Sequence, residues 1–168
     1  MRHAAMTQNR ATLYMIYGKI AAGKSTLAAE LARKEQTVLI ALDDWLGALF
    51  GDQMSTGQDF MHFSKKLESV MGPHIIKLLQ AGTSVVLDYP ANTVEQRAHM
   101  RGLFEAAGAA HELHVLNVPD EVCLARLKAR NQDGAHPFAP TEAQFHAFMK
   151  HLVPPTEKEG FQLVLHSS

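Results

Sequence analysis

Residues Gly18-Lys19-Ile20-Ala21-Ala22-Gly23-Lys24-Ser25 follow the pattern G-x-x-x-x-G-K-[ST]. This stretch narrows the fold and the chemistry more than the rest of the chain together. A loop of this kind wraps phosphate groups with backbone N–H donors, and side chains at its two glycine positions would obstruct that wrap. Lys24 reaches toward the β- and γ-phosphates, and Ser25 offers its hydroxyl to Mg²⁺. The expected nucleotide contacts are Gly18, Ala21, Ala22, Gly23, Lys24, Ser25 and Thr26. The motif requires a strand before it and a helix after it, and both are written in the sequence. Leu13-Tyr14-Met15-Ile16-Tyr17 is a short apolar run that suits a buried parallel strand. Ser25 to Lys34 carries Leu27, Leu31 and small alanines at helical spacing, with a basic end. The helix therefore opens with its positive dipole end at the phosphates.

Strands and helices continue to alternate. Thr37 to Leu42 is a second strand ending at Asp43-Asp44. A long helical region follows from about Asp59 to Gln80, with a break expected at Gly72-Pro73 because proline disfavours helix at the residue before it. Ser84 to Asp88 is a third strand, Thr93 to Ala107 a helix and His111 to Val118 a fourth strand. Pro119 to Asn131 is another helix, with proline at its first position and Asp120-Glu121 in its first turn. A Gly/Pro-rich loop over Asp133 to Pro140, a shorter helix from Thr141 and a fifth strand over Gln162 to His166 complete the chain. Such alternation implies an α/β fold with a parallel, three-layer arrangement around a five-stranded sheet. The expected domain runs over 13–168, with a lid around 131–141 and residues 1–12 as a loose tail.

Composition sets limits on partners. With 168 residues the chain is long enough to bury a sizeable core as one domain. Sixteen Lys and Arg against 17 Asp and Glu leave no basic excess, so bulk charge does not favour a long nucleic-acid footprint. The single cysteine, Cys123, excludes an internal disulfide and suits a reducing compartment; in an amphipathic helix it reads as a packed thiol. The first dozen residues lack the apolar core of a signal peptide, and no apolar run approaches membrane-spanning length. A cytoplasmic protein with no membrane partner is expected.

In parallel sheets, ligands collect at the carboxyl ends of the strands, where Asp43, Asp44 and Asp88 lie. Val85-Val86-Leu87-Asp88 has the form of a Walker B strand, whose carboxylate helps hold Mg²⁺. Asp43-Asp44 reads either as a turn or helix cap, or as a carboxylate placed to accept the proton of an attacking hydroxyl. Asp43 is assigned the second role and Asp44 the cap. Arg126 and Arg130 are four apart and share a helix face just before the Gly/Pro loop. They are placed to close over a triphosphate and stabilise charge on a transferred phosphoryl group; the alternative is a solvated basic face. Ten histidines suggest metal binding, but His111 and His114 must face opposite sides of a strand and no cluster has zinc spacing. Met71, Met100 and Met149 read as packing residues.

Taken in order, these elements resemble the P-loop kinases of the polynucleotide kinase, zeta toxin and chloramphenicol phosphotransferase type, and most closely small bacterial kinases known only as ATP-binding proteins. The resemblance rests on Gly18 to Thr26, Leu42 to Leu46, Val85 to Asp88 with Arg97 following, Asn117-Val118-Pro119 leading to Arg126 and Arg130, and Phe148 with Pro154-Pro155 and Glu157. It implies a nucleoside-kinase-like P-loop NTPase fold, with the Walker B strand beside the P-loop strand and a lid bearing arginines. It further implies phosphoryl transfer from Mg-ATP to a hydroxyl, with Asp43 in the position of the general base. The chain departs from the pattern at Ala21 and Ala22, where many such kinases have Gly and Ser. It departs again at Leu46, where polynucleotide kinases carry an arginine that grips the substrate's phosphate.

The expected catalytic set is therefore Lys24, Asp43, Arg126 and Arg130, with Ser25 and Asp88 for the metal. The expected partners are ATP and a small hydroxylated substrate, with nucleic acid disfavoured. A 5′-hydroxyl polynucleotide kinase and a nucleotide-binding regulatory module with weak ATPase activity are the alternatives. Trp45, Phe50, Phe60 and Phe63, with Met61 and His62 between them, are read either as the lining of an apolar acceptor pocket or as core and surface.

Overall fold

Apolar residues on both faces of the strands build a central sheet that the chain then covers with helices. In the computed structural model, which describes residues 10–134 and 139–167, the strands are β1 (Thr12–Tyr17), β2 (Thr37–Ala41), β3 (Ser84–Asp88), β4 (Ala110–Asn117) and β5 (Leu163–Ser167). They form a five-stranded sheet in the order β2-β3-β1-β4-β5. Every pairing is parallel, as the alternation of strands and helices requires. Tyr14 pairs with Val86, and Ala41 with Asp88, so the carboxyl ends of β1, β2 and β3 come together on one rim.

Strand residues divide by parity between two faces. Leu13, Met15, Val85, Leu87, Leu113 and Val115 face the main core with helices α3 (Gly57–Gln80) and α4 (Val94–Ala107). Tyr14, Ile16 and Val86 face α1 (Lys24–Leu31) through Ala28 and Leu31. A third cluster joins the loop residue Ala22 to Cys123 and Leu127 of α5 (Asp120–Asp133) and Phe145 of α6 (Glu142–Met149). Leu13, Met15, Val85, Val86, Leu87 and Leu113 are completely buried, each contributing roughly 1.5–3 kcal/mol of apolar burial.

Several expectations are corrected. Helix α3 is unbroken through Pro73. Gly72 lies buried on its inner side, where an added Cβ would meet Leu103 of α4 at 3.6 Å, so packing against α4 holds the helix across the proline. Pro119 is the cap before α5 and not its first residue. Thr12 already belongs to β1, Ala11 is buried and Arg10 donates from Nε to the carbonyl of Gly108 at 3.0 Å, so these three are not part of a tail. The rest of that segment, residues 1–9, lies outside the described residues. Helix α1 ends at Leu31, short of the basic pair Arg33 and Lys34. Cys123, Met71 and Met100 are buried and Met149 is packed against the third cluster, as packing residues should be. Among the described residues no helix is long and apolar enough to cross a membrane.

Candidate functional site

The loop between β1 and α1 is held in a conformation few residues adopt. Gly23, the cap of α1, has φ 101°, a left-handed value that glycine accepts at little cost. Ala21 also lies in the left-handed region, at φ 61°, where an L side chain is strained. Gly18 leaves little space: a Cβ there would crowd Leu116 Cβ and Lys24 Cγ at 3.3 Å, so these neighbours would have to give by a few tenths of an ångström. The first-turn N–H groups of α1 have no partners within the helix, and the positive end of its dipole lies beside them. The result is a cradle for an anion of phosphate type.

Lys24 Nζ donates to the carbonyls of Gly18 at 2.7 Å and Lys19 at 3.0 Å. Burial lowers its pKa to about 8, and Arg130 adds to the lowering, while Asp88, Cys123 and Asp43 pull the other way. Ser25 Oγ donates to Asp88 Oδ2 at 2.9 Å, so the helix start and the end of β3 meet side by side. Helix α2 (Leu42–Phe50) starts directly after β2, with Asp43 and Asp44 in its first turn. Asp44 is not the cap: Ala41 occupies that position and no side chain caps the helix, because β2 runs into α2 without an intervening turn. Asp43 lies on an open rim, yet loss of surrounding water raises its pKa, with Asp88 and then Asp44 adding to the rise and Lys24 opposing it. A carboxylate held in this way binds a proton more readily than an isolated one.

Helix α5 turns its arginines to the same rim. Arg126 Nη1 reaches the carbonyl of Ala22 at 3.5 Å. Arg130 Nε is buried and has no hydrogen-bond partner among the described residues. Lys128, off that face, pairs with Glu142 of α6 at 3.2 Å. Residues 135–138 of the expected lid lie outside the described residues. On either side of them, Asn131 Nδ2 donates to the carbonyl of Pro140 at 2.8 Å.

Three further residues hold the rim. Lys19 Nζ donates to the carbonyl of Val118 at 2.9 Å and to Asp120 Oδ1 at 2.5 Å, tying the loop to the start of α5. Asn92, in the connection from β3 to α4, accepts from the Gly18 N–H through Oδ1 at 3.2 Å. Arg97 is fully buried and grips Glu159 with two bonds, Nε to Oε1 at 2.9 Å and Nη2 to Oε2 at 3.1 Å, while Nη1 donates to the carbonyl of Ala91. The only sequence signal near Asn92 is Thr93-x-x-Gln96, a capping box that the structure contains. It marks the start of α4 and says nothing of the link to Gly18.

Between α2 and α3, Phe50 stacks on Phe63 at 4.5 Å, and both are half-buried against the main core. Trp45, Phe60 and Met61 are exposed, so the aromatic residues divide between core and surface. Leu46 is buried in the main core. His111 stacks on Phe104 while His114 bonds His166 and Glu112, which places the two histidines on opposite faces of β4.

A family model described as an AAA domain matches residues 13–155. No curated protein matches the chain. Among solved structures, a candidate kinase from Chloroflexus aurantiacus superposes with a TM-score of 0.73 at 19% identity, covering 94% of this chain and 85% of the other. A chain of the Pnkp1/Rnl/Hen1 RNA repair complex gives 0.67 at 23%, covering 89% of this chain and 45% of that longer one. The Mycobacterium tuberculosis APS kinase CysC, solved with AMPPNP and APS, gives 0.55 at 16%, covering 93% and 88%. At these identities the likeness is one of fold, and the fold is that of P-loop kinases.

Proposed function

Since the chain belongs to the AAA domain family matched over residues 13–155 and carries the rim described above, we propose that it is a kinase transferring the γ-phosphoryl group of Mg-ATP to a hydroxyl of a small molecule. One observation carries this reading: Asp43, in the first turn of α2, sits at the rim where Lys24 and the Ser25–Asp88 pair also lie. A module that only binds nucleotide has no need of such a carboxylate on the acceptor side.

The loop N–H groups and Lys24 bind the phosphate chain. Ser25 and Asp88 present hard oxygen donors of the kind Mg²⁺ prefers, and this ion, when bound, neutralises charge on the phosphate oxygens. Asp43 orients the acceptor hydroxyl and takes its proton as the hydroxyl oxygen bonds to the γ-phosphorus. The bond from that phosphorus to the β,γ-bridging oxygen breaks, and ADP leaves with the electron pair. Arg126 and Arg130 stabilise charge that develops on the transferred group.

The near-neutral net charge of −1 supports a small acceptor, since nucleic-acid binding depends on many cationic contacts. So does Leu46, buried at the position where the related polynucleotide kinases grip a phosphate. The test is an ATP-consumption screen over hydroxylated metabolites, antibiotics, nucleosides and 5′-hydroxyl oligonucleotides, with Lys24→Ala as the control. Acceptor-dependent ADP formation lost in Lys24→Ala is expected. Salt-sensitive phosphorylation of the oligonucleotides would overturn the choice of acceptor, and turnover retained in a folded Lys24→Ala protein would overturn the assignment of the loop.

A further inference from the structure

We propose that Asn92 is a positioning residue that sets the phosphate-binding loop, acting on Lys24 through the backbone of Gly18. This rests on the loop's being the nucleotide site. Gly18 spends its two backbone groups in opposite directions: its N–H donates to Asn92 Oδ1 at 3.2 Å, and its carbonyl accepts from Lys24 Nζ at 2.7 Å. The other backbone hydrogen bond within the loop runs from the Ala22 N–H to the Lys19 carbonyl at 3.1 Å. The N–H groups that open α1 are thereby left for the anion. Asn92 thus satisfies the first N–H of the loop, and does so from a different segment of the chain, 74 residues away.

Asn92 is itself fixed from three directions. Its N–H donates to Gln96 Oε1 at 3.0 Å, its carbonyl accepts from the Val153 N–H at 2.8 Å, and the preceding carbonyl, Ala91, accepts from fully buried Arg97 at 2.9 Å. A backbone anchored so firmly presents the Asn92 side chain from a fixed place to a loop whose own residues are small. Among the described residues no other group accepts from the Gly18 N–H. Loss of the Asn92 carbonyl oxygen leaves the Gly18 N–H unpaired in a partly buried place, a penalty that shifting the loop relieves. Any such shift carries the Gly18 carbonyl, and with it the Lys24 ammonium, away from the phosphate position.

Asn92→Ala and Asn92→Asp test the idea in the full chain, with Mg-AMPPNP and ADP as probes. Asn92→Ala is expected to bind both about tenfold more weakly, the scale of one lost hydrogen bond of 1–1.5 kcal/mol. The Gly18 amide should exchange faster with solvent. Asn92→Asp keeps the acceptor oxygen, so the Gly18 amide should stay protected while the added charge weakens nucleotide binding. A residue that merely supported the fold would lower the melting temperature and leave the nucleotide affinity of folded protein and the exchange of the Gly18 amide as they are; that result overturns the proposal. If the wild type binds neither probe, the nucleotide reading fails, and Gly18 exchange in Asn92→Ala still decides whether Asn92 holds the loop: protection equal to the wild type sinks it.

Discussion

The buried ammonium of Lys24 makes nucleotide binding a proton-consuming event at alkaline pH. In the free protein, burial holds its pKa at about 8 against an ordinary 10.5. Bound phosphates bring negative charge to the same nitrogen and restore the protonated form, so the complex binds a proton that the free protein lacks. At pH 8.5 a lysine with a pKa near 8 is about three-quarters neutral, whereas at pH 7 only about a tenth is, and uptake should follow those fractions. The same linkage weakens apparent affinity about fourfold from pH 7 to pH 8.5, because the neutral form must first be protonated. Calorimetric titration of Mg-AMPPNP at both pH values, in buffers of different ionisation enthalpy, reads the uptake directly. Lys24→Arg is the control, since a guanidinium stays charged throughout this range. Uptake below about 0.2 proton at pH 8.5, or equal uptake in Lys24→Arg, would refute this account of the site's electrostatics.

Other consequences follow from the same geometry. Asp43→Asn should keep nucleotide binding and cut phosphoryl transfer roughly a hundredfold or more in steady-state kinetics, the usual scale of lost acid–base help, with a smaller effect from Asp44→Asn; the reverse order would move the base to Asp44. Glu159→Gln should destabilise the fold by about 3 kcal/mol in urea unfolding, because Arg97 would be left charged in the interior. Burial alone raises the Glu159 pKa, but the bonds from Arg97 and the Thr156 N–H and the charges of Arg97 and Arg101 lower it overall. Its stabilisation is therefore present above the ordinary carboxylate pKa and lost as pH falls through the lowered value, so the wild type and Glu159→Gln should converge in acid. Ala21→Gly should relieve the left-handed strain at φ 61° and raise stability by roughly 0.5–1 kcal/mol, readable as a shift in the unfolding midpoint; a loss of stability would mean the Ala21 methyl packs usefully.

The parts of the molecule written in local pattern were legible. The loop glycines, the apolar strands and the carboxylate at the end of β3 depend on residues adjacent in sequence, and each lies where its spacing implies. Boundaries that depend on packing were not. Pro73 argued for a break, but α3 runs through it with Gly72 buried toward α4, so packing overrides a local backbone preference. Asp44 has the chemistry of a cap, but β2 passes straight into α2 and leaves no position for one. Asn92 and Lys19 escaped notice for a different reason: their partners, Gly18 in one case and Val118 and Asp120 in the other, lie 74 to 101 residues away.

The division of strand residues by parity reaches beyond the core. In β3, Val86 packs toward α1 and Leu87 toward the main core. Asp88 shares the parity of Val86, so its carboxylate emerges on the side of α1, where Ser25 stands, while Tyr89 goes into the main core. The chemistry at the rim is thus indexed by a count that starts inside the sheet. A conservative exchange of one buried aliphatic for another leaves that count intact and costs only packing. A single inserted or deleted residue within Ser84–Asp88 would send the carboxylate into the core and a hydrophobic side chain toward Ser25. Drift in side-chain identity is therefore tolerable along this strand, and drift in its length is not.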